Sequence, residues 1–150
     1  MIALVQRVHR ASVTIDGRVV GRIGQGLLVL LGVHRDDSNG EVDWLARKCA
    51  ALRIFSDEDG KMNRSIVDVD GEALVVSQFT LYGNVERGNR PSFVESAPPE
   101  VATPLYEKFV ERLSELINRP VETGQFGAMM DVELINDGPV TISIERKPGS

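Results

Sequence analysis

The chain has 150 residues, 42% hydrophobic and 26% charged, a length that suits one domain, residues 1–150, and buries enough surface for a core without disulfides. Its formal net charge of −5 argues against wholesale wrapping of nucleic acid, which needs clustered Lys and Arg, but not against an enzyme that handles only the tip of a polynucleotide. No apolar run approaches the ~18 residues of a membrane span, Met1–Arg7 lacks the layout of a secretory signal, and one cysteine makes no internal disulfide, so a reducing, cytoplasmic setting is expected.

Val8 to Ile15 alternates loosely and runs into Asp16-Gly17, a pair that closes hairpins, so Arg18 to Ile23 is the expected return strand. Gly24-Gln25-Gly26 then turns the chain into Leu27–Val33, a continuous apolar run of the kind buried on both faces. The glycines of Gly21–Gly26 open a strand rather than a helix, and no Gly-Lys-Ser/Thr follows. A turn is therefore a better account than a phosphate loop. Val42, Leu45, Ala46, Cys49 and Leu52 share one helical face behind Ser38-Asn39-Gly40-Glu41, a capping-box spacing. Asp57-Glu58-Asp59-Gly60 and Asp70-Gly71 read as turns, and Ala73 to Phe79 as a buried strand. Leu105, Phe109, Leu113 and Leu116 mark a second helix, entered through Pro98-Pro99. Asp131 to Ile135 and Val140 to Ile144 alternate on either side of Asn136-Asp137-Gly138-Pro139, which reads as a loop between two strands. The sum is an α+β domain in which strands predominate and two amphipathic helices cover a sheet.

His9, His34 and Cys49 lack metal-ligand spacing, and Cys49 is most simply a small core residue. No Gly-x-Ser-x-Gly elbow anchors a hydrolase triad. Two segments carry more. In Ser77-Gln78-Phe79-Thr80 a buried strand runs into polar side chains, where consecutive backbone N–H groups can hold a developing oxyanion. It reads equally as a strand end whose hydroxyls satisfy local backbone groups. In Asn136-Asp137-Gly138-Pro139-Val140-Thr141 a Gly-Pro pair makes a stiff, naked backbone corner. With cis in only about 5–6% of X–Pro bonds, the residues alone favour a trans loop there.

Ser77-Gln78-Phe79-Thr80, Gly88-Asn89-Arg90-Pro91-Ser92-Phe93, Phe126-Gly127-Ala128-Met129-Met130 and Asn136–Thr141, together with the opening Met1 to Val8, resemble the signature segments of the D-aminoacyl-tRNA deacylase family, in the same order and across the whole chain. Glu86-Arg87, in the segment before Arg90, departs from that pattern, since a lysine is expected there in many members. The resemblance implies a β-rich, barrel-like sheet with two helices on one side. It also implies a homodimer, with active sites at the subunit interface, that cleaves the ester of D-aminoacyl-tRNA at the tRNA 3′ end without metal or organic cofactor. Ser77, Gln78, Phe79 and Thr80 would line the scissile ester, and Phe126, Gly127, Ala128 and Met130 the adenosine. Gly138 and Pro139, joined by a cis peptide bond and inserted into the partner's site, would reject L-substrates, with Arg7 bracing them. Arg87 and Arg90 stand as contacts to tRNA phosphates or as solvated loop arginines.

The chemistry is consistent with such a site. An aminoacyl ester is already activated, so orientation and oxyanion stabilisation matter more than a strong nucleophile. Nothing in the sequence supplies Thr80 with a base, which favours water as the attacking group. A filter that accepts many D side chains must act on Cβ direction, and would let glycyl-tRNA through. Two other readings are an esterase acting on another acyl adenosine and a non-catalytic dimeric nucleic-acid-binding module.

Overall fold

A computed structural model describes residues 1–150. Its organising element is β1 (Ile2–Ile15), whose alternate residues Ala3, Val5 and Val13 are fully buried. β3 (Gly26–Gly32) pairs antiparallel with its first half, from Ile2↔Gly32 to Val8↔Gly26. β2 (Arg18–Ile23) pairs with its second half, from Ala11↔Ile23 to Ile15↔Arg18. The chain then continues through α1 (Asn39–Ala51), β4 (Phe55–Ser56), β5 (Met62–Arg64) and β6 (Glu72–Ser77), and after α2 (Pro99–Ile117) through β7 (Glu122–Thr123) and β8 (Asp131–Glu145). β6 lies parallel to β3, β7 parallel to β6, and β8 runs antiparallel along β1 from Ile2↔Glu145 to Thr14↔Asp131. The ends of the path β2-β1-β3-β6-β7 come together. The approach at Gly21 is so close that a Cβ there would stand 2.5 Å from the Thr123 carbonyl oxygen. The sheet is therefore nearly closed into a barrel, with the two helices packed on one side.

β3 is buried on both faces as its apolar run requires. Leu27, Val29 and Leu31 join Leu45, Cys49, Phe109 and Leu113 under the helices, while Leu28 joins Val8, Val13, Ile23 and Leu74 inside the barrel. Each large apolar side chain so buried stabilises the fold by about 1.5–3 kcal/mol. α1 starts with the expected capping box: Gly40 N–H donates to Ser38 Oγ at 3.4 Å, and Ser38 N–H to Glu41 Oε2 at 2.6 Å. α2 begins with Pro99 in its first turn and ends at Asn118, in the left-handed region at φ 56°. No helix is long and apolar enough to cross a membrane.

Three sequence expectations change. The buried line of α2 is Ala102, Tyr106, Phe109, Leu113 and Ile117, with Leu105 and Leu116 only half-buried. The line is rotated because the Tyr106 hydroxyl donates to the Val75 carbonyl at 2.9 Å and anchors the helix on β6. The strand expected to reach Phe79 stops at Ser77, and Phe79–Tyr82 form a 3-10 turn. Asp131 to Ile144 is one strand rather than two around a hairpin loop, because β1 is long enough to pair with both halves. Gln6 faces Thr141 and Val8 faces Asn136, so residues 137–140 stand against Arg7 alone and bulge out of the ladder.

Candidate active site

β6 leaves the sheet at Ser77. Gln78 N–H donates to the Leu31 carbonyl at 2.8 Å, after which Leu81 N–H reaches back to Gln78 O at 3.3 Å and Gly83 N–H to Thr80 O at 2.9 Å. A 3-10 turn opening at Phe79 has no acceptor of its own for the N–H groups of Phe79 and Thr80. Two amide donors thus stand side by side at the strand end. Gln78 Nε2 donates to Thr80 Oγ1. Phe79 is 56% exposed and meets Phe93 edge-on, ring centroids 5.1 Å apart.

The facing wall follows β7. Ala128 N–H bonds to the Gln125 carbonyl at 3.2 Å in a turn that puts Gly127 at φ 77°, a conformation suited to glycine. Phe126 packs on Tyr106 of α2 at 5.9 Å between ring centroids. The two walls enclose a cavity of about 620 Å³ bordered by Ser77, Gln78 and Phe79 on one side and Phe126, Gly127, Ala128 and Met130 on the other. That volume lies within the roughly 300–1,000 Å³ of small-molecule sites. Phe93 and the 93%-exposed Met129 rim it, and Val33 and Ala97 form part of its floor.

None of the lining side chains is ionisable. The cavity therefore acts through shape, apolar contact and fixed dipoles rather than through an acid–base pair. No group of three or more His, Cys, Asp and Glu residues lies together where it could hold a metal ion.

The other expected site residues lie elsewhere. Thr80 is exposed outside the lining, tied to Gln78. Arg87 and Arg90 are exposed on the loop closed by the Asn84↔Ser92 bridge. Gly138 and Pro139 are exposed at the tip of the bulge in β8, joined by a cis peptide bond rather than the trans bond that residue frequencies favour. Arg7 lies beneath them: its Nε donates to the Asp137 carbonyl at 3.0 Å, and its guanidinium to the Ile54 carbonyl at 2.5 Å. An ion pair with Asp137 Oδ2 at 3.4 Å adds to this. His9 Nε2 reaches the other oxygen of that carboxylate at 3.5 Å. Sequence reasoning gave no role to Phe93, Met129, Val33 or Ala97. The signal for the first two was their place in the Gly88–Phe93 and Phe126–Met130 segments, whereas nothing local marks the floor residues.

The family model described as D-Tyr-tRNA(Tyr) deacylase matches residues 4–145. D-aminoacyl-tRNA deacylase of Salinibacter ruber is 60% identical over 147 residues, covering 98% of both chains. That of Thermomicrobium roseum is also 60% identical, covering 100% of this chain and 99% of its own. Among solved structures, one described as c-Myc DNA Unwinding Element Binding Protein superposes with a TM-score of 0.93 at 44% identity, covering 98% of this chain and 99% of the other. A probable eukaryotic D-amino acid tRNA deacylase, at a TM-score of 0.80 and 17% identity over 95% of this chain and 98% of the other, shares the fold. With residues of three signature segments bordering one cavity and a family match spanning nearly its whole length, this chain belongs to the D-aminoacyl-tRNA deacylase family.

Proposed function

We propose that this protein hydrolyses the ester joining a D-amino acid to the 3′-terminal adenosine of tRNA, and spares L-aminoacyl-tRNA as a chiral proofreading step in translation, in the cytoplasm. The observation that carries the reading is the single cavity in which the Ser77–Phe79 strand end faces the Phe126–Met130 wall. The apolar wall takes the adenine, with Gly127 and Ala128 leaving room for the base. The scissile carbonyl lies at the strand end, where the N–H groups of Phe79 and Thr80 stabilise the oxyanion formed when water attacks. The ester is then cleaved to free amino acid and the ribose hydroxyl of the tRNA.

Gly138 and Pro139 are the chirality gate, supplied by the second copy of a homodimer. Their exposure, and their absence from the lining of their own chain's cavity, support a gate acting in trans. A corner of backbone carbonyls blocks an L-configured Cβ without the rotamer entropy that a side chain would lose. Glycyl-tRNA has no Cβ to block and is cleaved as well. Arg87 and Arg90 meet tRNA phosphates beside the cavity.

The test is release of tyrosine from matched D- and L-tyrosyl-tRNA, with chelator present. Release from D alone is expected. Equal release keeps the ester chemistry and removes the gate. Binding of tRNA without release from either identifies a non-catalytic binding module.

A further inference from the structure

Asn136 closes the base of the bulge that carries Gly138 and Pro139. Its Oδ1 accepts from Val140 N–H at 2.7 Å, and its Nδ2 faces the Val140 carbonyl at 3.3 Å. The side-chain amide thus offers Val140 the acceptor and the donor that a neighbouring strand would offer. It stands in for β1, whose only residue opposite the bulge, Arg7, is paired with Leu27 of β3 and has no partner among residues 137–140. The two N–H bonds of Nδ2 are shared among the Val140 carbonyl, Thr141 Oγ1 at 2.9 Å and Gln6 Oε1 at 3.2 Å, which ties the clasp to the first intact rung on the far side. Val140, held between these bonds, is buried.

We propose that Asn136 is a positioning residue for D-over-L selectivity: it fixes the height and angle of the Gly138-Pro139 corner without touching substrate. The proposal rests on the gate reading above. Arg7 holds the bulge from below through Asp137, and Asn136 pins its two ends together, so losing the clasp leaves the stretch between the paired flanks Asn136 and Thr141 held only through Asp137. A corner free to retreat by about 1 Å no longer excludes an L-configured Cβ, and displacements of that size change rates by up to about 100-fold.

The experiment measures kcat/KM on D- and L-tyrosyl-tRNA for the full-length protein and for Asn136→Ala, Asn136→Asp and Pro139→Ala, at a temperature where circular dichroism shows each folded. The D/L ratio of Asn136→Ala falls about tenfold or more because L-hydrolysis rises, while D-hydrolysis stays within about threefold. Asn136→Asp keeps the acceptor for Val140 N–H and loses the donor, and falls between; it carries the test if Asn136→Ala does not fold. A lowered melting temperature with an unchanged D/L ratio, or D and L rates falling together, overturns the proposal provided Pro139→Ala does change the ratio. If Pro139→Ala leaves the ratio unchanged, the gate reading itself fails and the role of Asn136 with it.

Discussion

Thr80 has the hydroxyl expected of a covalent nucleophile but not the neighbour such a nucleophile needs. Its side-chain partner is the Gln78 amide, which donates to Thr80 Oγ1 and has no basic nitrogen to take the proton. Its contribution is to hold Gln78 in place, one hydrogen bond worth about 0.5–1.5 kcal/mol. Thr80→Ala is therefore expected to keep D-tyrosyl-tRNA hydrolysis within about tenfold of the parent. Single-turnover kinetics check this, and a loss as deep as that from blocking the cavity with Ala128→Trp would make Thr80 the nucleophile. Cys49, the other nucleophilic side chain, is fully buried, and burial pushes its thiol up to about 12. It is a packing residue.

At the scale of the element, α1 depends on one carboxylate. Burial pushes Glu41 up, but the Ser38 hydroxyl, the Ser38 and Gly149 N–H groups and its own N–H outweigh that and hold it down at about 2, against 4.5 when free. A carboxylate depressed in the folded state adds stability above the unfolded value and loses it as pH falls through the folded one. Its contribution is thus complete above pH 4.5 and fades toward pH 2. Glu41→Gln removes the charge from the helix N-terminus and weakens the cap, at a cost of about 1 kcal/mol at pH 7. In urea titrations the gap between parent and variant should close as pH falls from 4.5 toward 2; a constant gap would show that the charge contributes nothing. This cap was legible in the sequence because it is a local motif, Ser38 to Glu41, and so was β3, whose apolar run needs no partner to identify it. β8 was not. Asn136–Pro139 has every local mark of a turn, and only the length of β1, more than a hundred residues upstream, makes it a bulge in one strand. The buried face of α2 was misread for the same reason, since the Tyr106 bond to Val75 belongs to tertiary packing.

At the scale of the molecule, the cavity collects residues from just beyond β3, the end of β6, the loop before α2 and its first turns, the segment after β7 and the start of β8. The two motif-bearing walls could be found from their residues, whereas Val33 and Ala97 are ordinary apolar residues that only the fold brings to the floor. The proposed gate lies further from sequence still, because Gly138 and Pro139 are exposed and do not line the cavity of their own chain. If the corner works on a second copy, as proposed, the two halves of the site are separable between chains. In a mixed dimer purified through two different tags, one copy carries Ala128→Trp, which fills its cavity and leaves its gate intact. The other carries Pro139→Ala, which alters its gate and leaves its cavity open. The only working cavity then belongs to the copy with the altered gate. If the gate acts in trans, that cavity faces the intact Gly138-Pro139 of its partner, and the mixed dimer cleaves D-tyrosyl-tRNA while sparing the L form. A gate acting in cis predicts the reverse, hydrolysis of both enantiomers at comparable rates. The D/L ratio of this one preparation separates the two arrangements, and an unselective mixed dimer beside a selective parent would place the gate and the cavity it guards on the same chain.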